Sequence, residues 1–186
     1  MSCTFLTREL YDRKVGAIGT GHWKSAAGRW GYHEAAVEIA RRIDPAEPAQ
    51  VLELGTMGVS CVIGSHTMDY AEKWNVRGFR PTYSHDARIT PWPVADKAYE
   101  LFIALRVFHH LTPVQADCFR EARRIARNIV IVTPTSYDVP ELRETSRGLG
   151  PEEFTAWNDG VAPTRVVPFA SWIGNLYFWG EAALPG

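Results

Sequence analysis

Apolar residues occur along this chain in short runs, which polar, glycine-rich and proline-rich stretches separate. Three of the runs, at residues 51–54, 101–105 and 129–132, show no strict alternation of apolar and polar positions. Unbroken runs are typical of strands that are buried on both faces, as in the middle of a parallel sheet. The pattern therefore predicts that these three segments are strands lying side by side at the centre of one sheet.

The rest of the pattern predicts helices and shorter strands. Residues 30–43 carry apolar residues at helical spacing, and the dipeptide Asp44-Pro45 that follows ends the helix. The pattern predicts a second helix over residues 113–127, with Thr112 as its N-cap and Pro113 at the first helical position. The other predicted elements are a helix at 151–157 and strands at 67–70, 83–86, 165–169 and 172–179.

Strands that alternate with helices predict a three-layer, Rossmann-like α/β fold with a doubly wound, mainly parallel sheet. The last two strands are too close in sequence for a parallel crossover, so they pair antiparallel at the C-terminus. Residues 55–66 leave too little chain for a full crossover helix between the first two strands. Residues 72–77 are either a short helix or a loop. Glycines punctuate residues 1–29, which we expect to be an irregular segment ahead of a domain over residues 30–186.

Composition narrows the class of protein. The chain has 186 residues, is 46% hydrophobic and carries a formal charge of −1, which fits one globular domain without a broad nucleic-acid-binding surface. Three widely spaced cysteines show neither zinc-binding nor disulfide spacing, so we expect a reducing, cytoplasmic compartment and no metal. No apolar run has the length of a membrane span or of a signal-peptide core, and we expect no membrane partner. The oligomeric state stays open.

Polar and glycine residues follow the predicted central strands, at the place where open α/β sheets bind ligands. Gly55 lies directly after the first strand, where the lack of a side chain lets a ligand approach the backbone. A plain turn glycine is the alternative. Glu53 lies within that otherwise apolar strand, and a buried carboxylate is costly unless it is paired. It therefore either serves a ligand or pairs with a nearby arginine or lysine.

Several short motifs follow one another at characteristic spacings. They are Glu53-Leu-Gly55, Asp86-Ala87 ahead of Pro91-Trp-Pro93, Val107-Phe-His-His-Leu111, and Glu121-Ala-Arg-Arg-Ile125 before Val130-Ile-Val-Thr-Pro134. In this order they resemble the class I S-adenosylmethionine-dependent methyltransferases, in the form of a methyltransferase type 11-like domain. The resemblance covers roughly residues 30–180. It implies S-adenosylmethionine as the cofactor.

The resemblance also implies a set of cofactor-binding residues, namely Glu53, Gly55, Gly58, Asp69, Asp86 and Ala87. In the family, Glu53 would help to place the methionine part, Asp69 would contact the ribose hydroxyls and Asp86 the adenine amino group. The alternative for Asp69 is an aspartate in a loop with no ligand, and the alternative for Asp86 is an aspartate that caps a turn. The chain departs from the family where the second and third glycines of the motif fall at Met57 and Val59, with Gly58 between them.

Arg106 and His109 follow the predicted strand 101–105, where the family places its acceptor. An imidazole transfers protons near neutral pH, and a guanidinium pairs with carboxylate or phosphate, so His109 is the candidate base and Arg106 the candidate acceptor contact. The alternative is that His109 is buried and that Arg106 pairs with Glu100 or Asp96.

Two functions follow from these residues. The first is methyl transfer to a small molecule or to a sugar acceptor. The second is a non-catalytic, methyltransferase-like subunit or scaffold, which the bulky Met57 and the short first crossover favour. A nicotinamide-dependent Rossmann protein is disfavoured, because no Gly-x-Gly-x-x-Gly motif follows the first strand.

Overall fold

The structure is a computed structural model, and it describes residues 3–18, 26–70, 78–136, 146–169 and 174–180. The helices are α1 (Arg8–Ile18), α2 (Ala26–Ile43), α3 (Gln115–Ile125) and α4 (Pro151–Trp157). Two short 3₁₀ helices span Pro48–Gln50 and Phe108–His110. The strands are β1 (Val51–Leu54), β2 (His66–Asp69), β3 (Tyr83–Ser84), β4 (Tyr99–Leu105), β5 (Ala126–Pro134), β6 (Arg165–Pro168) and β7 (Gly174–Trp179).

The seven strands form one sheet in the order β3-β2-β1-β4-β5-β7-β6. Strands β1 to β5 are parallel, whereas β7 runs antiparallel to β5 and to β6. The three predicted central strands are neighbours, because β1 lies beside β4 and β4 beside β5. The predictions of a mainly parallel sheet and of an antiparallel C-terminal pair are confirmed.

Helices cover both faces of the sheet, which gives three layers. In β4, Leu101 and Ile103 face the cluster that contains α1 and α2, whereas Phe102 and Ala104 face the cluster that contains α3 and α4. All four side chains are buried, and burying a large apolar side chain contributes about 1.5–3 kcal/mol. This burial on both faces explains why the central strands lack an alternating pattern.

The prediction that residues 1–29 are irregular is wrong, because they contain α1 and the start of α2. Helix α1 buries Tyr11 and Val15 on one face, and the Thr7 hydroxyl accepts a hydrogen bond from the Leu10 amide (3.2 Å) at its N-terminus. Packing of that face stabilises a helix whose glycine content suggested a break. Residues 19–25 lie outside the described part of the chain.

Helix α3 is shorter than predicted at both ends. Val114, and not Thr112, is its N-cap residue. The Thr112 hydroxyl instead accepts a hydrogen bond from the side-chain amide of Gln115 (2.9 Å). At the other end, Ala126 already belongs to β5 and pairs with Tyr99 of β4. Strand pairing therefore ends the helix before residue 127.

The connection between β1 and β2 contains no helix, as its length predicts. Strand β2 begins one residue earlier than the predicted range 67–70. Strand β3 has only two residues and is shorter than the predicted range 83–86. Helix α4 has the predicted bounds, 151–157. The prediction for residues 72–77, and the start of the last strand at 172, lie outside the described residues. In the part of the chain that the structure covers, no helix is both long and apolar enough to cross a membrane.

A single arginine of α3 ties the turn before β4 to that helix. The Arg124 guanidinium donates to the carbonyl oxygens of Trp92 (3.2 Å) and Val94 (2.8 Å), and it pairs with Glu121 and Asp96 at 2.6 Å each. These partners hold the guanidinium in place from both the turn and the helix, which raises the pKa of Arg124. Arg124 thus fastens the proline-rich turn to α3, together with Glu121, whose carboxylate accepts a hydrogen bond from the Trp92 amide (2.6 Å).

We expect Arg124→Ala to lower the free energy of unfolding by about 1–3 kcal/mol, because it removes the donor of two carbonyl groups and the cation that pairs with Glu121 and Asp96. Arg120 on the same helix is the matched control, since it pairs with Asp117 at the surface and exposed pairs contribute only about 0–1 kcal/mol. Urea denaturation of both variants measures the difference. Equal losses in the two variants would contradict the assignment.

Candidate functional site

The direction of the strand order changes between β1 and β4, since β2 and β3 continue on one side and β5 on the other. A crevice opens beyond the carboxyl ends of adjacent parallel strands at such a point. The structure brings three of the candidate residues to this edge: Gly55 after β1, Asp69 at the end of β2, and Arg106 after β4. Asp86 follows β3 at the outer edge of the sheet.

The turn after β1 has an unusual backbone. Gly55, Met57 and Gly58 have φ angles of +70°, +50° and +87°, a region that glycine enters easily and methionine does not. The turn is tied to β2, because the Asp69 carboxylate accepts hydrogen bonds from the Thr56 amide (3.2 Å) and hydroxyl (3.3 Å). The Lys14 ammonium group of α1 donates to the Gly58 carbonyl oxygen (3.2 Å). Neither Thr56 nor Lys14 is among the site residues that the sequence predicts.

The space beside Gly55 is occupied by the protein itself. A Cβ atom placed on Gly55 would overlap Cγ2 of Val107, in the loop after β4. The lack of a side chain is therefore needed for the close approach of two strand ends. Whether Gly55 also admits a ligand stays a prediction.

Glu53 organises the loop between β1 and β2 from inside the protein. Its side chain is buried, and it accepts hydrogen bonds from the amides of Cys61 (2.7 Å) and Val62 (2.8 Å) and from the Ser65 hydroxyl (2.9 Å). Burial raises the pKa of Glu53 to about 7, although the hydrogen bonds act in the opposite direction. The partners are backbone amides and a hydroxyl, and not the arginine or lysine that the alternative had expected.

Asp69 lies at the mouth of the crevice and is partly exposed. Burial of the carboxylate raises its pKa to about 7, while the hydrogen bonds from Thr56 oppose that change. The contact with Thr56 makes Asp69 part of the turn that follows β1. Its contact with a ribose stays a prediction.

Asp86 and Ala87 both have structural partners. Asp86 accepts hydrogen bonds from the Arg88 amide (3.0 Å) and guanidinium (2.6 Å), and this pairing lowers the pKa of the carboxyl group. The Ala87 carbonyl oxygen accepts from the Trp92 indole (2.9 Å) and the Cys118 thiol (3.2 Å). This geometry fits the turn-capping alternative for Asp86, and its contact with adenine stays a prediction.

Arg106 links the end of β4 to helix α2. Its φ angle is +59°, its amide donates to the Val132 carbonyl oxygen (2.7 Å), and its guanidinium hydrogen-bonds the Tyr32 hydroxyl. Glu100 and Asp96, the partners of the alternative, instead contact Arg127 and Arg124 respectively. Tyr32 is not among the site residues that the sequence predicts, because its contact with Arg106 joins residues far apart in the chain.

His109 is buried in the core, and not at the mouth of the crevice. Burial, with His110 and Arg106 nearby, lowers the pKa of His109 to about 2. Such an imidazole is neutral and is a weak base, which disfavours the predicted role as proton acceptor. The structure thus fits the alternative in which this histidine is buried.

Metal-binding groups and reactive cysteines are the other kinds of site to consider among the described residues. No group of three or more histidine, cysteine or acidic side chains is arranged to hold a metal ion in the ranges that the structure covers. Cys3, Cys61 and Cys118 are buried free thiols. The crevice beyond β1 and β4 is therefore the candidate site.

Comparison with solved structures gives the class of this fold. A complex between the Trm112 methyltransferase activator and a methyltransferase of Haloferax volcanii matches 97% of this chain and 99% of that chain, at 15% identity and a TM-score of 0.59. The CMeT domain of the citrinin polyketide synthase matches 92% of this chain at 11% identity and a TM-score of 0.58. OxaC in complex with SAH and oxaline matches 74% of this chain at 14% identity and a TM-score of 0.50.

The chain spans about half the length of the last two structures, 56% and 44% respectively. No protein-family model matches it, and no curated protein does. The structural likeness shows the fold: this protein has the class I S-adenosylmethionine-dependent methyltransferase fold.

Proposed function

We propose that this protein binds S-adenosylmethionine in the crevice beyond β1 and β4 and transfers its methyl group to a small-molecule or sugar acceptor. The observation that carries the proposal is the turn at Gly55, Met57 and Gly58, whose residues have left-handed φ angles. It lies where the direction of the strand order changes, and Asp69 holds it by accepting a hydrogen bond from the Thr56 amide. The fold of the solved methyltransferases supports it.

The residues at the crevice fit such a cofactor. Asp69 is partly exposed at the end of β2, so its carboxylate is placed to accept hydrogen bonds from ribose hydroxyls. The three atoms nearest to a Cβ atom on Gly58 all belong to Phe79, at 3.5–3.7 Å, so the turn meets its neighbour at ordinary van der Waals distance on that side. The methionine part of the cofactor would then lie against the rest of the turn. When bound, the cofactor supplies an electrophilic methyl group.

The protein itself then positions the acceptor and supplies a positive charge that can bind it. Holding the acceptor in line with the methyl group accounts for much of the rate of such a reaction. Arg106 is placed at the end of β4 to pair with a carboxylate or phosphate of the acceptor. An anionic small molecule, or a sugar that carries an acidic group, is the acceptor class that this residue favours.

A non-catalytic subunit or scaffold is the second candidate. Two observations favour it: Met57 packs against the core cluster of α1 and α2, and Val107 fills the space beside Gly55. The Haloferax volcanii structure contains a protein activator, so this candidate predicts that the isolated chain binds no cofactor and needs a protein partner.

Calorimetric titration with S-adenosylhomocysteine separates the two candidates. We expect micromolar binding to the wild-type protein and a loss of about 1–3 kcal/mol in Asp69→Asn, because a hydrogen bond to a charged group is removed. Asp117→Asn on the outer surface of α3 is the matched control and should bind as the wild type does. An absence of heat at high ligand concentration would support the scaffold. Equal affinities in all three proteins would place the ribose contact elsewhere.

A further inference from the structure

A second histidine lies beside the buried one. His110 is the last residue of the 3₁₀ helix Phe108–His110, directly after β4, and it is exposed. Its ring centroid lies 3.8 Å from that of His109. Its Nδ1 atom lies 2.7 Å from the hydroxyl oxygen of Ser146, which is itself buried with 3% exposure. An exposed imidazole is thus held by a buried hydroxyl at the carboxyl edge of the sheet.

The segment 146–150 that carries Ser146 is hydrogen-bonded to the 3₁₀ helix Phe108–His110 and to the end of β5. The Arg147 amide donates to the His109 carbonyl oxygen (2.9 Å), and the Leu149 amide donates to the Pro134 carbonyl oxygen (2.8 Å) at the end of β5. Gly148 lies so close to the chain after β5 that a Cβ atom would come within 2.8 Å of the Ser136 Cα atom. These contacts set the position of the Ser146 hydroxyl and therefore the orientation of the His110 ring.

We propose that His110, and not His109, accepts the proton of the acceptor in methyl transfer, and that Ser146 is the residue that positions its ring. This inference rests on the proposed function. It differs from the expectation for His109, because that imidazole is buried and cannot meet an acceptor from solvent.

The proton and electron balance of the step requires one tautomer of His110. An oxygen of the acceptor forms the bond to the methyl carbon, and the electron pair of the broken S–CH₃ bond returns to sulfur. The hydroxyl proton of the acceptor passes to Nε2 of His110. Nε2 has a lone pair for it only when the proton of the neutral ring is on Nδ1, where it is donated to the Ser146 oxygen. The imidazolium that results keeps this hydrogen bond.

A base at this position defines the acceptor class. A hydroxyl group of low acidity needs a proton acceptor during methylation, whereas a carboxylate or a thiolate does not. The acceptor is therefore an alcohol, sugar or phenol hydroxyl, and Arg106 nearby suits one that also carries an anionic group.

The tautomer of His110 tests the inference without any acceptor. Two-bond ¹⁵N–¹H NMR correlations on the protein with bound S-adenosylhomocysteine, and on the protein alone, distinguish the two tautomers. We expect the Nδ1–H form in the wild type and a shift towards the Nε2–H form in Ser146→Ala, which removes the oxygen that accepts the Nδ1 proton. A wild-type ring in the Nε2–H form would overturn the proposal, because Nε2 would then have no lone pair for the acceptor.

Turnover provides the second measurement, with methyl α-glucopyranoside and 4-hydroxybenzoate as hydroxyl probes and benzoate as the probe without a hydroxyl. We expect His110→Gln to lower kcat by about 10²–10⁴-fold, the contribution of a positioned base, with unchanged affinity for S-adenosylhomocysteine. His66→Gln is the matched control, because His66 Nδ1 also contacts a hydroxyl, that of Tyr99 (2.8 Å), at the amino ends of the strands. Turnover of a hydroxyl probe by His110→Gln at the wild-type rate would overturn the inference.

The two proposals fail in different ways. If the wild-type protein binds no S-adenosylhomocysteine, the proposed function is wrong. If it binds the ligand but His110 is in the Nε2–H form, the proposed function stands and the role of His110 is wrong.

Discussion

Glu53→Ala is expected to be among the most destabilising substitutions in this protein. It removes the acceptor of the Cys61 and Val62 amides and of the Ser65 hydroxyl. Each buried group that loses its partner costs about 1–3 kcal/mol, and we expect a total loss of about 3–5 kcal/mol in the free energy of unfolding. Urea denaturation measures it. Glu34→Ala, an exposed position of α2, is the control and should change stability by no more than about 0.5 kcal/mol.

The same carboxyl group makes stability depend on pH. The pKa of Glu53 is raised from 4.5 to about 7 in the folded protein, so between these values the folded state keeps a proton that the unfolded state has lost. Its contribution is therefore complete below about pH 4.5 and is lost as the pH rises through 7. The difference in pKa corresponds to about 3 kcal/mol. Asp69, whose pKa is also raised to about 7, acts in the same direction.

Urea midpoints of the wild type and of Glu53→Gln, which cannot titrate, should be compared between pH 5 and pH 8. We expect the stability of the wild type relative to the variant to fall as the pH rises. The pH dependence that the two proteins share comes from the other groups, among them Asp69 and the buried His109, whose lowered pKa acts in the opposite direction. The same pH dependence in both proteins would show that the pKa of Glu53 is not raised. A relative stability of the wild type that increases with pH would contradict the sign of the effect.

Gly55→Ala is expected to lower the free energy of unfolding by about 2–5 kcal/mol. The φ angle of +70° costs an alanine about 1–2 kcal/mol, and the overlap of the new Cβ atom with Val107 adds about 1–3 kcal/mol. Gly78→Ala is the matched control: its φ angle is +81°, but no atom lies within 4 Å of the new Cβ atom. It should show the conformational cost alone.

A double-mutant cycle with Val107→Ala isolates the steric part. We expect Val107→Ala to recover about 1 kcal/mol or more of the loss in Gly55→Ala, because it shortens the side chain that the Cβ atom meets. Purely additive effects would contradict the contact. The double variant also separates folding from binding: if it folds well but no longer binds S-adenosylhomocysteine, Gly55 serves the ligand in addition to the packing of Val107.

The sequence alone predicted the architecture of the sheet. The unbroken apolar runs identified β1, β4 and β5 as neighbours, since a strand buried on both faces needs apolar residues at every position. The antiparallel pairing of the last two strands and the lack of a helix between β1 and β2 followed from the length of the connections. These features depend on local composition and chain length, which a single sequence displays directly.

The tertiary structure decided the features that depend on contacts between distant residues. Helix α1 is stabilised by packing of Tyr11 and Val15, the start of β5 is set by pairing of Ala126 with Tyr99, and the partners of Glu53 lie eight to twelve residues further along the chain.

The two adjacent histidines show that the sequence also does not decide which side chain can react. His109 and His110 are neighbours in the sequence, yet one is buried and the other is exposed and held by Ser146, 36 residues away. Identical side chains acquire different proton affinities only through desolvation, nearby charges and the hydrogen bonds that their surroundings provide. The sequence by itself determined that an imidazole follows β4, and only the fold decided which of the two meets solvent.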